Sequence, residues 1–175
     1  MSEQSSARAD APGSLLAFYD TALAPVYGYL VARCGGAALA EDLTAETFLA
    51  AADAIRRQDP PPMSMPWIIG VARHKLVDHW RRQGREERSL RAVRDEAAPS
   101  EDPWDAHLDA VRARQTLDRL APQHRAALTL RYLDDLPVPE VATHLARTVH
   151  ATEALLVRAR SAFRRAYTDE EGRDA

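Results

Sequence analysis

A single cysteine, Cys34, stands among 175 residues, so neither an internal disulfide framework nor a multi-cysteine zinc site is available. Aromatic residues make up only 6% of the chain while alanine is abundant, a balance that favours helices over sheets. No uncharged apolar run approaches the roughly 18 residues a membrane span needs. The opening MSEQSSARADAPG has no hydrophobic stretch of the signal-peptide kind and reads as a frayed tail. There is no glycine-rich phosphate loop, no internal repeat, no alternating strand pattern and no HExxH. His74 and Asp78 share a helix face at a spacing of four, but His79 points elsewhere and no second helix offers a cluster. An enzyme built on those three residues would be a metal-dependent hydrolase. The weight of the pattern is against it, and we expect no catalytic residue, no metal and no cofactor. What remains is a cytoplasmic, all-helical protein with no membrane contact of its own.

The net charge of −3 conceals an alternation along the chain. Leu15–Asp59 carries three bases against six acids, whereas Pro60–Arg94 carries eight bases against three acids. Asp95–Asp109 holds six acids and no Lys or Arg, and Ala110–Tyr167 has ten arginines against five acids. Two basic segments separated by an acidic strap form a more specific pattern than one basic patch.

Apolar residues at helical spacing predict a helix over Leu15–Arg33, with a kink or a break at Pro25 and a stop at Gly35-Gly36. A second helix is expected from about Leu39 to Arg57, burying Leu43, Phe48, Leu49 and Ile55. The Asp59–Pro62 stretch, with three successive prolines, is a non-helical loop, and Pro66 suits the first turn of a third helix, Trp67 to about Arg85. Trp67 reads as core, whereas Trp80 fits either core or base stacking. Ala98–Pro103 marks a linker. A fourth helix is expected from near Trp104 to Leu120 and a fifth from Pro122 to Leu133. Val141, Ala142 and Leu145 then share one face of a short helix. A tight turn follows at Ala146–Thr148, and Leu155, Leu156, Ala159 and Phe163 repeat at helical period in the last helix. That is a helix-turn-helix, with Arg158, Arg160, Arg164 and Arg165 placed to neutralise phosphates. The expected architecture is all-α: two small helical domains on an acidic flexible linker. The boundaries are a tail over 1–14, a first domain over 15–88, a linker over 89–107, a second domain over 108–167 and a tail over 168–175.

AEDLTAETFLAA (Ala40–Ala51), WIIGVARHKLVDHWRR (Trp67–Arg82) and LAPQHRAALTLRYLDDLPVPEVATHLA (Leu120–Ala146) resemble the sigma factors of RNA polymerase. The closest type is the extracytoplasmic-function (ECF) group of the sigma-70 family, which keeps regions 2 and 4. The resemblance implies a subunit that binds core RNA polymerase and directs promoter-specific initiation on promoter DNA, in response to a stress or signal. An anti-sigma factor is a further partner that the resemblance suggests. It assigns polymerase docking to Glu41, Asp42, Glu46, Thr47 and Phe48. Minus-10 recognition and melting fall to Met63, Ser64 and Met65 in the proline-rich loop, and to Arg73, His74, Lys75, Asp78, Arg81 and Arg82 on the following helix. Minus-35 recognition falls to Thr148 as a helix N-cap, to His150, Thr152, Glu153 and Val157 as base readers, and to Arg158 and Arg160 as phosphate contacts. Where the family commonly carries a Lys- or Arg-containing run, this chain has Ala151–Leu155 (ATEAL). A carboxylate there can accept from cytosine N4, and apolar groups can touch a thymine methyl. Ala45 and His74 likewise replace the usual Gln and Asn. The acidic linker reads either as a solubilising tether or, by resemblance, as a strand threading toward the polymerase cleft. The alternative reading is a stand-alone helix-turn-helix regulator that needs no polymerase.

Overall fold

The computed structural model describes residues 11–57, 61–90 and 110–171, with side chains over 15–57, 61–87 and 110–169. Among the described residues the regular structure is all helical, without a strand: α1 (Ala11–Cys34), α2 (Ala37–Ile55), α3 (Met65–Leu90), α4 (Ala110–Arg119), α5 (Pro122–Leu128), α6 (Val138–Leu145) and α7 (Val149–Glu171). They fall into two compact units, divided between Leu76 and Val77 inside α3. Residues 1–10, residues 58–60 of the proline loop, residues 91–107 of the expected linker, the expected helix start near Trp104 and residues 172–175 lie outside the described residues. Helix α3 runs on to Leu90, past its expected end near Arg85 and into the first two positions of the expected linker.

In the first unit α1 packs along α2. Ala22, Val26 and Leu30 of α1 and Ala40, Leu43 and Ala51 of α2 are buried, with Ile68, Ala72 and Leu76 of α3. Helix α1 begins at Ala11, ahead of the expected Leu15, and runs unbroken past Pro25. Pro25 is exposed, so its ring costs the helix one hydrogen bond without ending it. Gly35 ends α1 with φ 74°, a left-handed conformation that a Cβ would strain. Leu15–Cys34 is, by length and composition alone, apolar enough to cross a membrane, although it carries Asp20 and Arg33. The surplus apolar surface is visible: Leu16 is 66% exposed, and Leu23 and Val31 are part-exposed. Leu49, expected inside, is instead 67% exposed. The buried face of α2 turns on Ala40, Leu43, Thr44, Thr47 and Ala51, which leaves Leu49 on the opposite side.

In the second unit α7 is the central element, with α4, α5 and α6 all packed on it. Leu120, Leu128, Ala159 and Phe163 form a buried cluster flanked by Ala113, Leu117, Ala162, Ala166 and Tyr167. Arg112 of α4 locks the far end of α7: its guanidinium donates to the Tyr167 carbonyl at 2.6 Å and lies 4.2 Å from the Tyr167 ring centroid. The expected helix from Pro122 to Leu133 changes character after Leu128. Thr129–Leu133 is a π-helical turn, closed by Asp134 N–H donating to the Thr129 carbonyl at 3.0 Å. Helix α7 extends to Glu171, past the Tyr167 end expected from the sequence.

Candidate functional site

The residues singled out in the sequence lie on the α1–α2 pair, on α3 and on the helix-turn-helix of the second unit. In the first unit Tyr19, Leu23, Ala24 and Tyr27 of α1 face Thr44, Ala45 and Phe48 of α2 across an open groove of about 530 Å³, rimmed by Asp20 and Glu41. Tyr19 and Phe48 meet edge to face, their centroids 4.6 Å apart, which fixes both rings at one end of the groove. Glu41 and its chain neighbour Asp42 are exposed. An apolar trough with a carboxylate rim suits an amphipathic helix bearing basic residues.

Thr47 does not belong to that surface. It is fully buried and its hydroxyl donates to the Leu43 carbonyl at 2.6 Å; Thr44 does the same to Ala40 at 2.6 Å. Both hydroxyls are spent within α2, so Thr47 is corrected from a docking residue to a core residue. Glu46 pairs with Lys75 of α3 at 3.6 Å, joining a residue expected on polymerase to one expected on DNA. Sequence reasoning missed Tyr19, Leu23 and Tyr27. The available signal was that α1 carries more apolar residues than one buried face needs.

On α3, Ser64 serves as the N-cap: its hydroxyl accepts from Trp67 N–H at 3.4 Å and its carbonyl from Ile68 N–H at 3.0 Å. Met65 is the first helical residue, so only Met63 and Ser64 of the expected three lie before the helix. His74 and Arg82 are exposed, and Met63, Arg73, Lys75, Asp78 and Arg81 are partly so. Asp78 is paired with Arg81 at 3.4 Å. Trp80 is 1% exposed, which removes it from base stacking, while Trp67 is half-buried. No group of three or more His, Cys, Asp and Glu suited to a metal occurs among the described residues.

In the second unit the helix-turn-helix is formed by α6 and α7. Ala146 ends α6 with φ 51°, and Arg147 N–H reaches back to the Ala142 carbonyl at 3.0 Å, closing the turn as a left-handed cap. Thr148 caps α7, its hydroxyl accepting from Ala151 N–H at 3.1 Å. Val149, His150, Glu153 and Ala154 are exposed, Val157, Arg158, Arg160 and Arg164 partly exposed, and Arg165 fully so. Thr152 is fully buried and its hydroxyl donates to the Thr148 carbonyl at 2.9 Å, so it is corrected from base reader to core residue. The Nε of Arg158 is buried without a hydrogen-bond partner, and Arg160 donates to the Tyr132 hydroxyl at 3.2 Å. Behind this face Asp118 lies 3.7 Å from Arg125. Burial pushes the Asp118 carboxyl up from its ordinary value, and the Arg125 guanidinium only partly offsets it.

Comparison with known proteins identifies the family. The family Sigma-70 region 2 matches residues 18–86, and Sigma-70, region 4 matches residues 110–163. The ECF RNA polymerase sigma factor BldN of Streptomyces coelicolor is 34% identical over 167 residues. That alignment takes in 93% of this chain, which spans 62% of the length of BldN. The ECF RNA polymerase sigma factor SigM of Bacillus subtilis is 30% identical over 156 residues, 85% of this chain and 92% of SigM. In structure, the sigma factor RpoE of Bartonella quintana, solved with the anti-sigma factor NepR, is 18% identical with a TM-score of 0.51, over 91% of this chain and 97% of that one. Matched in both regions, in order, and by relatives along most of its length, the chain belongs to the ECF group of the sigma-70 family.

Proposed function

We propose that this protein is a promoter-specificity subunit that docks on core RNA polymerase through the α1–α2 groove and holds upstream promoter duplex on α7. The observation that carries the reading is the opposite character of the two exposed faces on one chain of this family. Asp20 and Glu41 border an apolar groove in the first unit, whereas Arg160, Arg164 and Arg165 line the last helix of the second. An apolar trough desolvates and binds a protein helix; a row of arginines releases counterions from DNA. Arg73, Lys75, Arg81 and Arg82 on α3 supply cations for the opened minus-10 strand, with Met63 and the capped start of α3 beside the displaced base. The role is regulatory, with no reaction of its own. A stand-alone regulator would leave the whole region 2 match without a purpose. Control by an anti-sigma protein is the regulation we propose, since the relative RpoE was solved with one; the apolar α1–α2 groove is the surface we assign to it.

Co-elution with purified core polymerase tests the docking half. The wild-type chain is expected to move with core, and Leu23→Glu, which puts a charge into the apolar trough, to run apart from it. A wild-type chain that never associates with core overturns the reading.

A further inference from the structure

We infer that Glu153 is the principal sequence reader of α7, accepting a hydrogen bond from the exocyclic amino group of a cytosine and rejecting guanine at the same position. The inference rests on the proposed placement of α7 on duplex DNA. With about 100° between successive residues, Val149, Glu153, Val157, Arg160 and Arg164 fall on one face, bordered by His150 and Ala154. The flank beside that face is filled by Thr152, Leu155, Leu156, Ala159 and Phe163, all buried.

The exposed face is divided along its length. From Val149 to Val157 it holds a carboxylate, a histidine and small apolar groups, and neither Lys nor Arg. Its first arginine, Arg160, lies seven residues beyond Glu153, about 10 Å along the axis, and is already aligned by Tyr132. A recognition helix presents its N-terminal residues to base edges, so the cation-free stretch meets the bases and the arginines meet phosphates. Burial of Thr152 leaves Glu153 as the strongest hydrogen-bonding group there.

The donor and acceptor inventory then decides the base. An ionised carboxylate only accepts. Guanine shows two acceptors in the major groove, N7 and O6, so facing Glu153 it would leave both partners unsatisfied. Cytosine offers its N4 amino donor alone; adenine offers N6 beside the N7 acceptor and fits less well. No ion pair among the described residues diverts the Glu153 carboxylate, in contrast to Asp118 and Asp135, which face Arg125 and Arg131 at 3.7 Å each.

The test uses holoenzyme reconstituted from the full chain and core polymerase, with a promoter library randomised across the upstream element and read by sequencing of transcripts. Wild type is expected to enrich cytosine at one upstream position and to deplete guanine there by about tenfold or more. Glu153→Gln should move that one preference to adenine and Glu153→Lys to guanine, the neighbouring positions keeping theirs. If all three proteins select the same upstream sequence, Glu153 is not a reader, although the sigma function stands. If wild type selects no promoter and does not co-elute with core, the underlying reading fails and this inference falls with it.

Discussion

The two units use the same device at their centres and present opposite chemistry outside. In α2 Thr47 and in α7 Thr152 are both fully buried, each donating its hydroxyl to the carbonyl four residues back. Each looks, in sequence, like a polar contact within a functional motif. Around the first, α1 and α2 leave apolar side chains uncovered, with Leu16 and Leu49 each about two-thirds exposed. Around the second, α4, α5 and α6 cover the apolar side of α7 and leave arginines outside. A face meant for another protein is incomplete without its partner's apolar surface. A face meant for phosphates is complete within its own core and needs only cations at the rim.

That contrast can be broken in graded steps. The largest effect is expected in the first unit. Leu23→Glu desolvates a charge in the groove and should weaken core binding by about tenfold or more, as measured by fluorescence titration, with helicity by circular dichroism unchanged. Next, Arg160→Ala in the holoenzyme should weaken binding to upstream duplex by similar factors for all sequences. It should also reduce the slope of log affinity against log salt by about 1, because one phosphate contact is lost. A sequence-selective loss would instead make Arg160 a base reader. Tyr132→Phe removes only the hydroxyl that aligns Arg160, and about a two- to fivefold loss is expected on the scale of one solvent-exposed hydrogen bond. Ala146→Gly should raise the stability of the second unit by about 0.5–1 kcal/mol in urea unfolding, because the left-handed conformation at φ 51° strains a Cβ.

The smallest effect concerns Asp118. Its carboxyl is raised by burial, so the folded state binds the proton more tightly than the unfolded chain. Ionisation therefore costs stability as pH rises from the ordinary carboxylate value through the raised one. Asp118→Asn should match or slightly exceed wild type in thermal midpoint at neutral pH. The difference should close as pH falls through the carboxylate range, since the wild-type side chain then becomes neutral as well.

Much of the fold was legible because the signals were local. Gly35 marks the end of α1 through its left-handed φ, Pro122 opens α5, and the repeat of Leu155, Leu156, Ala159 and Phe163 gives the inner face of α7. The helix-turn-helix followed from α6 and that repeat, even though Ala rather than Gly occupies the left-handed position at 146. Less was legible where packing decides between equal local choices. Leu49 had the right polarity for the core but lay on the wrong side of α2, once Thr44 and Thr47 had turned inward by bonding their own helix. The π-helical turn at Thr129–Leu133 depends on a hydrogen bond that spans one residue more than the α-helical spacing, and periodicity does not announce it. For the site, Glu41, Asp42 and Glu153 are exposed as their charge implied and Arg160 partly so, whereas Tyr19, Leu23 and Tyr27 emerged only when α1 was seen to have one covered face and one bare one.

The central claim is that the two units serve one act, the opening of a promoter by polymerase carrying this chain. Permanganate reactivity of thymines on a promoter chosen from the library tests it directly. The account predicts thymines that become reactive near the start site with holoenzyme, and with neither core alone nor the chain alone. Reactivity with core alone, or none with a holoenzyme that demonstrably contains the chain, would contradict it.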